Sequence, residues 1–290
     1  MTLRLDRAAL EDGGAEPQRL AAAILVQMGY RGGRVPIDDI ALALDIVEIR
    51  KEPLTNLEGV LLTTADRNVG SILINNKSSR QRGRFTLGHE LGHFLNPYHV
   101  GTDGSGHSCS SGDMRAAGPS ADNRHRQQEA EANRFAIEIL VPRIGCQKYF
   151  QGDPDMAEIL AMAAEFDISR ESAARRYIEL HGDAVAIVFS KNNRLTYAVR
   201  SDAFPSMAVR REDLLPLGQP VSGAERSIPI EETDTSFWLT RKGGEGELTL
   251  QTLFQKDDHA MSLLHLTTPD EEAEPDLEDT CDRFARFNDR

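Results

Sequence analysis

Residues 89–93 read His89-Glu90-Leu91-Gly92-His93, two imidazoles and a carboxylate at a spacing suited to metal-assisted hydrolysis. On a helix, residues four apart are neighbours on one face, so His89 and His93 can each offer a nitrogen to one Zn2+ ion. Glu90 then lies beside them, placed to accept a proton from water. Leu87, Leu91, Phe94 and Leu95 fall on the opposite side, so this helix has an apolar back and a His/Glu front. Gly88 and Gly92 occupy the flank between. Each costs roughly 1 kcal/mol of helix propensity relative to Ala, which leads us to expect a second element packed closely against them.

A hydrolytic zinc site needs three protein ligands and one open position. The next helical stretch, from about Gln127 to Val141, offers Glu129, which shares a face with Ala132, Ala136 and Leu140. Glu131, Arg134 and Glu138 fall on the face expected to meet solvent. A carboxylate on a buried face needs a partner, because an unpaired buried charge is costly. Zinc is such a partner, and Asn133, one turn on, can hydrogen-bond behind a ligand. The plainer alternative is a first-turn Glu favoured by the helix dipole.

His99 is a rival third ligand. Residues 89–99 approach a three-histidine pattern in which a Gly turns the chain after the second His. Asn96 stands where that Gly is wanted, and Pro97 pushes Asn96 towards an extended conformation. The other reading puts His99 near the cleft rim with Tyr98. His107 and Cys109 form a His-Ser-Cys, either a thiolate able to visit zinc or an ordinary loop thiol. His125, Arg124, Tyr98 and His99 are the candidates for stabilising the oxyanion of a tetrahedral intermediate.

These residues need a frame. Pro17–Gly29 reads as a helix with Pro at its start and Gly at its end, and Pro36–Leu44 as a second, shorter one. Ile46–Arg50, Gly59–Thr63 and Ser71–Ile74 are short apolar or β-branched runs separated by turn residues, hence three strands. Ser71–Ile74 is a candidate edge strand to which an extended substrate could add. Ser78 or Ser79 can cap the metal helix, which stops before Asn96-Pro97. Residues 96–126 read as a long loop. Asp153-Pro154 to Phe166 and Ser169 to His181 form a helix pair with helix-turn-helix spacing. Arg170, Arg175 and Arg176 on its second member suggest DNA recognition or, more plainly, a pair docked on the rest of the chain. From Ala184 the pattern is β, with hairpins at 184–200 and 247–267.

The stretch from Arg84 to Phe94, followed by Glu129-Ala130-Glu131-Ala132-Asn133-Arg134-Phe135-Ala136 with Leu140 and Pro142, resembles the ImmA/IrrE metallo-endopeptidases. That resemblance covers residues 17–150 well and the rest loosely. It implies His89, His93 and Glu129 as zinc ligands and Glu90 as base. It also implies a substrate class, helix-turn-helix repressors of stress-response, phage or mobile-element genes. Some members carry a helix-turn-helix-like segment and a GAF-like sensory domain after the protease.

We therefore expect an α+β chain. Residues 1–150 would form a zincin-like protease domain, 151–182 a helix-turn-helix-like segment, 183–268 a β-rich GAF-like domain and 269–290 an acidic disordered tail. The chain has 290 residues and a formal net charge of −13, nearly half of it on the tail. That balance argues against a large nucleic-acid surface. Met1–Gly14 lacks an apolar core after a basic start, and no apolar run approaches the length of a bilayer span. Three widely spaced cysteines, Cys109, Cys146 and Cys281, make no disulfide framework, so a reducing, cytoplasmic setting is expected. The competing reading is a DNA-binding regulator whose metal is purely structural.

Overall fold

The computed structural model describes residues 3–64, 66–99, 106–109, 124–218, 226–227, 229–240 and 246–268, with backbone alone for 106–109 and 226–227. The acidic tail expected at 269–290 lies outside the described residues. Among the described residues no helix is long and apolar enough to cross a membrane. Residues Met1–His181 form one compact unit and Gly182–Arg290 a second.

The first unit begins with three helices, the first two capped by acidic side chains. Asp6 accepts from the Ala9 N–H to open α1 (Arg7–Asp12), and Glu16 caps α2 (Pro17–Gln27) just ahead of its Pro. α1 buries only Leu10, too little apolar pattern to announce a helix in the sequence. α3 (Ile37–Ala43) follows Pro36.

Next come β1 (Ile46–Glu52), β2 (Gly59–Thr63) and β3 (Gly70–Asn75), joined by a later strand, β4 (Gly106–Cys109), in a sheet of order β1-β3-β2-β4. β3 is parallel to β1 and antiparallel to β2, and β2 is antiparallel to β4. This corrects two expectations. β3 is an inner strand, not an edge, in keeping with a near-continuous apolar run, Ile72-Leu73-Ile74. The 96–126 stretch is not all loop, since it supplies β4 to the open side of β2.

α4 (Arg80–Leu95) is the helix that carries His89, Glu90 and His93. Ser79 caps it by accepting from the Arg82 N–H, and it ends at Asn96, which is extended (φ −88°, ψ 110°) ahead of Pro97. Arg67, itself left-handed at φ 53°, donates from Nη1 to the carbonyls of His93 (2.9 Å) and Asn96 (2.5 Å). A guanidinium there satisfies carbonyls left open at the helix end and complements its dipole. α5 (Arg124–Leu140) packs on α4. Gly92 is where they close, since a Cβ there would lie 3.1 Å from the Phe135 ring and 3.3 Å from Ala132 Cα.

α6 (Arg143–Cys146) leads to α7 (Met156–Phe166) and α8 (Arg170–Leu180). Asp167, left-handed at φ 55°, turns the chain between the last two. It is buried and takes ion pairs from Arg34 (3.1 Å), Arg80 (2.5 Å) and Arg84 (3.4 Å), which tie the turn to the first residues of α4 and to the segment ahead of α3. The helix pair expected as a segment of its own thus lies inside the first unit. Arg176 of α8 is fully buried, with Nη2 2.5 Å from Glu138 Oε2, Nη1 3.0 Å from Glu179 Oε2 and Nε donating to Val141 O at 3.1 Å. Arg176 is therefore not available to DNA, and Glu138 is not on a solvent face, because α8 covers it.

The second unit is an antiparallel sheet on a hydrophobic core. β5 (Val185–Lys191) and β6 (Arg194–Arg200) form a hairpin whose turn residues, Asn192 and Asn193, are both left-handed, as a tight hairpin turn requires. β7 (Arg226–Ser227), β8 (Glu231–Glu232), α9 (Thr235–Trp238), β9 (Glu247–Phe254) and β10 (His259–Thr267) complete the described elements. The order is β6-β5-β10-β9-β7, with β8 also on β9. Trp238 is buried among Val188, Phe204, Leu248 and Leu264 and donates from Nε1 to Thr233 Oγ1 at 3.0 Å.

Removing one partner of a buried ion pair costs about 3–5 kcal/mol. Arg176→Leu should therefore destabilise the first unit by roughly that amount in urea unfolding; a loss under about 1 kcal/mol would show that the Arg176 cluster does not hold α8 in place.

Candidate metal centre

α4 and α5 bring three potential ligands together. His89 Nε2 and His93 Nε2 are 3.1 Å apart, and each lies 3.2 Å from a different oxygen of Glu129. All three side chains are buried, Glu129 at 1% exposure and both histidines at 0%. Among the described residues His89, His93 and Glu129 are the group whose donor atoms cluster tightly enough for a metal, all within 4.8 Å. Two imidazole nitrogens and a carboxylate oxygen are a donor set that suits Zn2+, so the residues present fit the ion. Burial raises the Glu129 carboxyl, but hydrogen bonds to His89 and His93 and their charge outweigh it and hold it well below the ordinary carboxylate range.

Each imidazole is braced from behind. His89 Nδ1 is 2.9 Å from Asn133 Oδ1, one turn after Glu129 on α5. His93 Nδ1 is 2.9 Å from His99 Nδ1, and His99 Nε2 is 3.0 Å from Glu131 Oε2. His99 thus lies outside the ligand cluster; it is 1% exposed and meets His93 on the side away from that cluster. Burial pulls its imidazole below its ordinary pKa against the pull of Glu131, favouring the neutral form. Glu131, expected on a solvent face, is only partly exposed because the 96–99 turn folds over it. The extended Asn96 and Pro97 produce that turn, and Asn96 Nδ2 donates to Glu131 Oε2 at 3.1 Å.

Glu90 is fully buried. Its Oε1 lies directly over Gly59 of β2, and a Cβ added at Gly59 would collide with that oxygen and with Thr86 Cγ2 at 2.6 Å. Nothing in the local sequence around Gly59 signals this contact, because β2 and α4 meet only through the tertiary fold. Tyr98 is 73% exposed, and His125, half exposed, has Nδ1 3.8 Å from Glu129 Oε1. A cavity of about 250 Å3 beside the centre is lined by Tyr98, His99, Arg124, Gln127, Gln128 and Glu131. A larger one, about 560 Å3 between α2 and the α5–α6 corner, contains none of the candidate site residues. His107 and Cys109 lie on β4, placed by backbone alone and paired with Leu61 and Gly59 of β2.

Residues 45–177 match the family model of the M78 peptidases described as the IrrE N-terminal-like domain. That segment is an ImmA/IrrE-family metallopeptidase domain, and it includes all of the metal centre and nearly all of the helix pair. No curated protein matches the chain.

Gly59→Ala should push the Glu90 carboxylate off its position while leaving the three candidate ligands in place. We expect unchanged bound zinc and a proteolytic rate lower by roughly ten- to a hundredfold, the scale of an ångström-level misplacement; a parent-like rate would mean that Gly59 does not set the position of Glu90.

Proposed function

We propose that this chain is a zinc-dependent endopeptidase that hydrolyses a peptide bond in a protein substrate, a helix-turn-helix transcriptional repressor, and so derepresses stress-response, phage or mobile-element genes. The observation that carries the reading is the convergence of His89, His93 and Glu129 with Glu90 buried alongside. The repressor as substrate rests on the family resemblance.

In this reading His89, His93 and Glu129 hold the zinc ion. When bound, zinc supplies Lewis acidity to the scissile carbonyl and lowers the pKa of water. Glu90 accepts one proton as the water oxygen bonds to the carbonyl carbon. It delivers that proton to the leaving nitrogen as the C–N bond breaks. Of the four oxyanion candidates we favour His125, whose Nδ1 is 3.8 Å from Glu129 Oε1. β4, as the edge of the sheet, is the strand along which an extended substrate would pair. We assign α7–α8 as the helix-turn-helix-like segment and the second unit as a GAF-like sensory module, in a cytoplasmic protein.

The competing reading, a DNA-binding regulator with a structural metal, loses Arg176 to burial, and a structural zinc would want a fourth protein ligand. Among the described residues the cluster supplies three.

Glu90→Gln, co-expressed with a genome-neighbouring repressor, should keep its zinc and its fold while cleavage falls at least about a hundredfold, the scale of a general base. Cleavage at the parent rate in that variant would remove Glu90 from the mechanism.

A further inference from the structure

We propose that Glu131, His99 and His93 form a directed chain of hydrogen bonds that positions His93 and strengthens it as a metal donor, making His99 and Glu131 positioning residues of the centre. This rests on the reading of His93 as a ligand through Nε2.

The geometry fixes the direction of the chain. A ligating nitrogen carries no proton, so with Nε2 turned to the metal, His93 holds its proton on Nδ1 and donates it. The atom 2.9 Å away is His99 Nδ1, which must accept. With Nδ1 accepting, His99 has its ring proton on Nε2, and that nitrogen is 3.0 Å from Glu131 Oε2. One tautomer of each ring satisfies both contacts, and the chain ends on a carboxylate. The anchor is itself held. Asn96 Oδ1 accepts from the Tyr98 N–H at 3.0 Å, which orients the amide so that Nδ2 donates to Glu131 Oε2. The 3.0 Å approach of Asn96 Nδ2 to His99 Nε2 follows from two donors converging on that oxygen. Gln127 Nε2 donates to the other oxygen at 2.9 Å.

The two imidazoles of the centre are therefore backed differently. Behind His89 stands the neutral amide oxygen of Asn133; behind His93 stands a carboxylate acting through a second imidazole. A negative charge at the far end makes the His93 Nδ1–H bond more polar and its Nε2 a better donor. Glu131 does this without entering the metal's coordination shell, so its effect must pass through His99.

The test is zinc affinity by competition with a chromophoric chelator, on the full chain and on Glu131→Gln, His99→Ala and the double variant. Glu131→Gln keeps the size of the side chain and its acceptor for His99, so it removes the charge with the least disturbance to folding. We expect zinc to bind about tenfold more weakly to Glu131→Gln and ten- to a hundredfold more weakly to His99→Ala, the usual range for partners of metal ligands. The double variant should be no worse than His99→Ala alone. The cobalt-loaded Glu131→Gln chain should show shifted visible absorption bands, which a merely structural residue would leave in place. If the parent binds zinc and Glu131→Gln binds within twofold of it, or the two losses multiply, the chain of bonds does not act on His93. A parent that binds no zinc would instead overturn the metal reading beneath it.

Discussion

Two helices can share one metal only where their backbones come close, and the contact of α4 with α5 at Gly92 is the constraint on which the rest of the unit depends. A side chain at Gly92 would press on Phe135 and Ala132, and any outward shift of α5 would carry Glu129 away from His89 and His93. Roughly 1 kcal/mol of helix propensity is given up at each glycine of this face. In exchange the carboxylate reaches a buried position opposite two imidazoles, where it has charge-complementary partners instead of an uncompensated desolvation cost.

Other interactions hold that pair of helices in register. Asp167 gathers Arg80 and Arg84 at the start of α4 together with Arg34 from the segment ahead of α3, and Arg67 closes the other end of α4 on the carbonyls of His93 and Asn96. Arg176 joins α8 to α5 through Glu138 and to the chain just past α5 through the Val141 carbonyl. The helix pair therefore braces α5, the helix that carries Glu129, through Arg176. Among these groups Asp167 and Glu138 each meet arginine partners, whereas Arg67 meets backbone carbonyls.

Much of the site was legible because it is local. The His-Glu front of α4, its apolar back and the need for a close neighbour at its glycines all follow from one helix period, and Glu129 follows from the period of the next. What periodicity could not reach were contacts made by a third element. Glu138 and Glu131 share a face that a single-helix reading gives to solvent, yet α8 covers one and the 96–99 turn covers the other. His99 was ambiguous because Pro97 excludes the tight turn of a three-histidine site without saying where the chain goes next. β4 went unread since four residues inside a Gly- and Ser-rich stretch carry too little pattern to declare a strand. Gly59 against Glu90 is likewise a meeting of sheet and helix that neither local sequence encodes.

The central claim is an open site with ligands from two helices, and zinc-edge X-ray absorption on the zinc-loaded full chain tests it most directly. The account predicts two imidazole nitrogens at about 2.0–2.1 Å and a carboxylate oxygen at about 2.0–2.2 Å. It also predicts one further light atom that exchanges when a hydroxamate is added. A sulfur at about 2.3 Å, or a complete shell of protein ligands indifferent to hydroxamate, would contradict it.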